Sequence, residues 1–156
     1  MKIREKESKD QPWIEKILDE RWGGEGRVVA HGEIFDVRLL PALIGGEQEG
    51  LATYQIRRTN IAELITLDAV TAKRGVETAL IEALVSRLRV EGVSVLRVIT
   101  TNDNLDALRF YQRRGFRITA VRPGAVDEAR RVKPSISEIG EYGIPIRDEI
   151  ELERLL

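Results

Sequence analysis

Residues 100–116 read TTNDNLDALRFYQRRGF, and their residue types fit one short helix with a defined start, a defined stop and one polar tip. Asp103 or Asn104 can cap its N-terminus, since either side chain can accept from the unbonded amides of a first turn. Asp106 then suits the positive end of the helix dipole. Ala107, Leu108 and Tyr111 recur at three- and four-residue steps and mark the inward face, while Arg109, Gln112 and Arg113 mark the solvent face. Arg113 and Arg114 suit the negative end, and Gly115 can take the left-handed conformation that closes a helix.

Outward from this helix the periodicity alternates. Strand, helix, strand, helix, strand are expected at 62–70, 76–90, 93–100, 105–114 and 116–122. A strand-helix-strand crossover of that length favours a parallel pair. Before it, residues 2–5 read as a short edge strand, residues 8–11 as a polar break, and a helix starting at Pro12 runs to Trp22 with Gly23-Gly24 as its stop. Its stripe is Trp13, Ile14, Ile17 and Leu18, and both tryptophans read as packing residues rather than ligand platforms. Residues 28–31 read as a brief strand, and 35–40 is harder to assign because Pro41 interrupts it. Residues 42–44 and 51–57 form a hairpin through Gly45-Gly46, so three antiparallel strands precede the first long helix. After Pro123 come a short charged helix at 126–132, a long loop at 134–145 and a segment at 148–155 that fits a strand or a helix. A mixed α/β sheet with helices on both faces is the economical architecture.

Composition narrows the function. The chain is 156 residues long, with a net charge of −1 and 33% charged residues, which suits one domain spanning 1–156 with a mixed surface and argues against a nucleic-acid footprint. No cysteine is present, so no disulfide framework or thiol nucleophile exists. The charged start MKIREKESKD and the lack of a long apolar run predict a cytoplasmic chain with no membrane partner. No Gly-x-Ser-x-Gly elbow and no clustered ligand set appears, so neither a serine hydrolase nor a catalytic metal is expected. His31, the only histidine, reads as structural.

Asn104-x-x-Ala107-x-x-Phe110-Tyr111-x-x-x-Gly115-Phe116 resembles the N-x-x-A-x-x-[hydrophobic]-Y-x-x-x-G-F segment of the GNAT superfamily of acetyl-CoA-dependent N-acetyltransferases. The resemblance covers residues 49–122 well and the flanks more loosely. It implies a mostly antiparallel central sheet with a parallel splayed pair, and it favours a strand at 148–155 inserted beside the one at 93–100. It also implies acetyl-CoA as cosubstrate and direct attack by an amine in a ternary complex.

That chemistry needs a held cofactor, an oxyanion stabiliser, removal of a proton from the amine and return of one to the thiolate. By the resemblance, the pantetheine arm lies along the strand ending Leu67-Asp68-Ala69-Val70, and an amide of Ala69 or Val70 faces the thioester oxygen. The pyrophosphate meets the turn of Lys73, Arg74, Gly75, Val76, Glu77, Thr78 and Ala79, where helix amides favour an anion. The family's loop reads Q/R-x-x-G-x-G/A; this chain keeps Gly75 but carries Ala72 first and Glu77 last. Asn104 would hold the cofactor or the start of the helix, and Tyr111 would hydrogen-bond the sulfur and protonate the departing thiolate.

For the base, Glu63 and Asp68 are placed by position on the central strand, with Glu33, Asp127 and Glu141 in loops; of these Glu63 is the expected catalytic residue. The expected partner is an amine-bearing small molecule or peptide, with a homodimer left open. The rival reading is a non-catalytic acyl-CoA-binding module with a degenerate phosphate loop.

Overall fold

The first strand and first helix are joined by a buried charge. In the computed structural model, which describes residues 1–23, 26–58, 60–71 and 75–156, β1 (Ile3–Glu5) leads through a 3-10 turn to α1 (Gln11–Trp22). Asp10 in that turn is fully buried; Arg4 donates to it twice at 2.7 and 2.8 Å, Glu7 N–H at 2.8 Å and Gln48 at 3.1 Å. The Arg4 fork holds its carboxyl well below the usual carboxylate range. α1 buries Ile14, Ile17 and Leu18, the expected stripe without Trp13.

β2 (Arg27–Ala30) and β3 (Glu33–Asp36) make a separate two-stranded hairpin through His31 and Gly32, both at positive φ. The segment around Phe35, hard to assign from sequence before Pro41, is a strand from Glu33 to Asp36, whose carboxylate accepts Arg38 N–H and turns the chain. β4 (Ala42–Gly45), β5 (Gly50–Arg58) and β6 (Ile61–Ala69) are the expected antiparallel run. α2 (Val76–Val90) buries Val76, Leu80, Ile81, Leu84, Val85 and Leu88, a stripe at helical spacing. It packs close to β5: a Cβ on Gly50 would lie 2.3 Å from Val76 Cγ1.

β7 (Val95–Thr101), α3 (Leu105–Gln112), β8 (Arg117–Arg122), α4 (Ala125–Val132) and β9 (Glu149–Leu155) complete the chain. The seven-stranded sheet has the order β1-β4-β5-β6-β7-β9-β8, mostly antiparallel with β6 and β7 parallel. The last segment is therefore a strand, and it lies between β7 and β8. Glu149, Glu151 and Glu153 share one face of β9 at two-residue steps; Arg97 meets Glu153 at 2.8 Å and Arg122 meets Glu151 at 2.8 Å.

The chain divides into two compact units, one of Met1–Arg27, Asp36–Leu96 and Leu156, the other of Val28–Phe35 and Arg97–Leu155. Among the described residues no helix is long and apolar enough to cross a membrane.

Candidate active site

In the first unit the site residues lie on β6 and the start of α2. Val70 N–H donates to Glu49 C=O at 2.8 Å, so the alternation of an antiparallel ladder turns the neighbouring Ala69 amide away from β5. Of the two amides the sequence leaves open for an oxyanion, Val70's is thus committed to the hairpin. β6 also carries a bulge that the sequence did not reveal. Thr53 pairs with Thr66 and Tyr54 with Leu64, so Ile65 is the extra residue. A bulge frees one residue from the ladder and re-aims its groups.

Gly75 caps α2 in the left-handed conformation, φ 66°, and among the described residues no atom lies within 4 Å of where a Cβ would stand. Gly75, the N-cap, has no side chain with which to cap the 15-residue helix, and its C=O accepts Ala79 N–H at 2.9 Å. The helix dipole at this end suits a pyrophosphate, and the open approach at Gly75 among the described residues fits one. Glu77 brings a carboxylate into the same turn. Lys73, Arg74 and Ala72 lie outside the described residues.

Glu63 is buried in the first half of β6, and Arg57 meets it at 3.5 Å. Asp68, five residues on, is also buried, and its Oδ2 accepts the Trp22 indole N–H at 2.7 Å. Burial pushes the Asp68 carboxyl up to about 6, against the opposing pull of the Trp22 hydrogen bond and of Arg21. Trp22 is thus a hydrogen-bond donor as well as a packing residue, a role with no local sequence signal.

In the second unit Asn104 is the cap: its side chain accepts from Ala107 N–H at 3.1 Å. Asp103, the other candidate, is buried instead, accepting from Thr101 Oγ1 at 2.5 Å and from Glu141 N–H at 2.9 Å. Gly115 takes φ 88°, and Phe116 N–H returns to Tyr111 C=O at 3.1 Å, closing α3 as the sequence predicts. Tyr111 is buried edge-on between Phe110 and Phe116, with ring centroids 5.3 and 5.2 Å away. His31 packs edge-on against Phe35, and its backbone N–H is held by the Glu149 carboxylate at 3.0 Å.

The long loop before β9 is fastened. Arg130 of α4 donates to Ser137 and Ile146 carbonyls at 2.6 Å each, and Asn102 accepts Arg147 N–H at 2.9 Å. Among the described residues no group of three or more His, Cys, Asp or Glu side chains gathers as a metal site.

These features agree with the comparisons to known proteins. The family model "Acetyltransferase (GNAT) family" matches residues 5–116. The uncharacterized protein YxbD of Bacillus subtilis (strain 168) is 35% identical over 147 residues, covering 92% of this chain and 91% of its own. The uncharacterized protein YdhI of the same organism is 41% identical over 111 residues, 71% of this chain and 69% of its own. Among solved structures, a GNAT family acetyltransferase from Elizabethkingia anophelis with acetyl-CoA bound superposes with a TM-score of 0.71 at 16% identity, covering 99% of this chain and 97% of that one. With the matched segment running through α2 and α3 to the close of the Tyr111 helix, the chain belongs to the GNAT family of acetyltransferases.

Proposed function

We propose that the chain is an N-acetyltransferase, moving the acetyl group of acetyl-CoA to an amine by direct attack. The observation that carries the reading is the glycine-led start of α2, with Gly75 left-handed at its N-cap, in a family member whose Asn104–Phe116 motif is realised as a capped and closed helix. Acetyl-CoA supplies an acyl carbon already activated as a thioester. The start of α2, from Gly75 through Val76, Glu77, Thr78 and Ala79, holds the pyrophosphate, with Lys73 and Arg74 preceding it in the sequence. Ala69 and Val70 bound the pantetheine strand, and Ala69's amide serves the thioester oxygen. As the N–C bond forms and the C–S bond breaks, the nitrogen's proton leaves through a carboxylate or a water, Tyr111 returns a proton to the thiolate, and Asn104 fixes the start of its helix.

The Glu77 carboxylate favours a second reading, an acyl-CoA-binding module without efficient turnover. About 5 Å from a phosphate charge it would cost roughly 3 kcal/mol at an effective dielectric constant near 20. Thiol release from acetyl-CoA over a panel of amines decides between the two. Turnover with any amine supports the enzyme; CoA binding by calorimetry without turnover supports the module, and neither binding nor turnover removes both.

A further inference from the structure

The buried acids of the first unit differ in what answers their charge. Asp10 has the Arg4 fork, and Glu63 has Arg57. Asp68, 6% exposed, has only the Trp22 indole N–H on Oδ2; no lysine or arginine among the described residues forms an ion pair with it, and no described group donates to Oδ1. An ionised carboxylate left this way is costly to bury, and a cation brought to it removes the cost.

Position says which cation. Asp68 immediately precedes Ala69, whose amide is turned away from β5. Glu63 stands about 17 Å back along the strand at 3.3 Å per residue, with its own arginine partner. The small exposure of Asp68 admits a slender group, such as a primary ammonium, in preference to a broad guanidinium.

We propose that Asp68 binds the ammonium group of the acceptor through Oδ1, and that Trp22 is the positioning residue that fixes the other carboxylate oxygen. Calling that cation the acceptor rests on the acetyl-transfer reading; the ammonium site itself does not. The charged groups that bear on Asp68 are Arg21 of α1, which favours its ionised form, and Glu77 of α2, which opposes it. The ionised Asp68 needed for binding forms as pH rises through about 6.

The test follows the carbon-13 shift of the Asp68 carboxyl against pH in the whole chain, with n-propylammonium chloride or sodium chloride at equal ionic strength, with and without CoA. The expected result is a midpoint lowered by n-propylammonium and unmoved by sodium. In parallel, Asp68→Asn should raise the KM for n-propylamine, or for whichever panel amine is turned over, at least about tenfold, the loss of one charge-assisted hydrogen bond, with CoA affinity unchanged. Trp22→Phe should raise the carboxyl midpoint and give a smaller KM increase with kcat retained. An Asp68 midpoint indifferent to n-propylammonium overturns the site. A midpoint that responds in a chain without turnover keeps the site and removes the acetyl-transfer reading. Turnover with an unchanged KM in Asp68→Asn keeps that reading and overturns the acceptor role.

Discussion

Tyr111 and Asp68 show what a single residue's neighbours reveal. Tyr111 packs between Phe110 and Phe116, so its ring holds place without its hydroxyl. Tyr111→Phe should therefore fold with a melting temperature near the parent's while lowering turnover roughly a hundredfold, the usual loss for a general acid. Steady-state kinetics with acetyl-CoA and a turned-over amine check this; unchanged turnover would show that the thiolate leaves unaided. Asn104 and Gly115 were legible in sequence because capping and left-handed closure are settled within one helix. Asp68 was not, since its distinguishing partner is an indole 46 positions away. The same limit hid Arg130, whose purchase on the loop carbonyls depends on the fold bringing residues 137 and 146 to α4.

At the scale of elements, the strand-helix alternation carried most of the information. β9 was the ambiguous case. Two of its glutamates at two-residue steps, Glu151 and Glu153, acquire meaning only once Arg97 and Arg122 face them from neighbouring strands, a pairing that no local pattern specifies. α2 is the element on which the proposed phosphate site depends, and two residues adjust it in different ways. Gly50→Ala would place a Cβ 2.3 Å from Val76 Cγ1 and 3.0 Å from Leu80 Cδ1, forcing the helix start off β5. Overpacking of this kind costs about 1–3 kcal/mol, and the variant should melt lower and bind CoA more weakly. Equal denaturant midpoints for parent and variant would show that α2 yields without strain. Glu77→Gly separates the two properties. It removes a favourable first-turn acid worth about 0.3–1 kcal/mol, and it introduces a glycine, so the helix should weaken. If the carboxylate opposes the phosphates, CoA should nonetheless bind about 10- to 100-fold tighter in low salt. Paired calorimetry and melting on both proteins decides, and no gain in CoA affinity would show that Glu77 turns away from the phosphate site.

Over the molecule as a whole, two buried aspartates set opposite pH limits on stability. Asp10 is held well below its ordinary value by Arg4, so its contribution is complete above that ordinary value and is lost as pH falls through the folded one. Asp68 runs the other way. Its carboxyl moves from 3.8 to about 6 on folding, so between those values the folded chain binds the extra proton. The resulting stability is complete below 3.8 and gone above about 6. At about 1.4 kcal/mol per unit, this amounts to roughly 3 kcal/mol lost across the window. In a chain of this size that corresponds to about 6–12 °C in melting temperature. Asp68→Asn removes the titration while its amide oxygen still accepts the Trp22 N–H. The variant should therefore melt higher than the parent at pH 8 and close to it at pH 4, with a flatter profile between. Thermal unfolding of both proteins across that range is the measurement. Parallel profiles would mean that water reaches Asp68 well enough to hold its carboxyl near the ordinary value, and the case for an unanswered buried charge on β6 would fall with it.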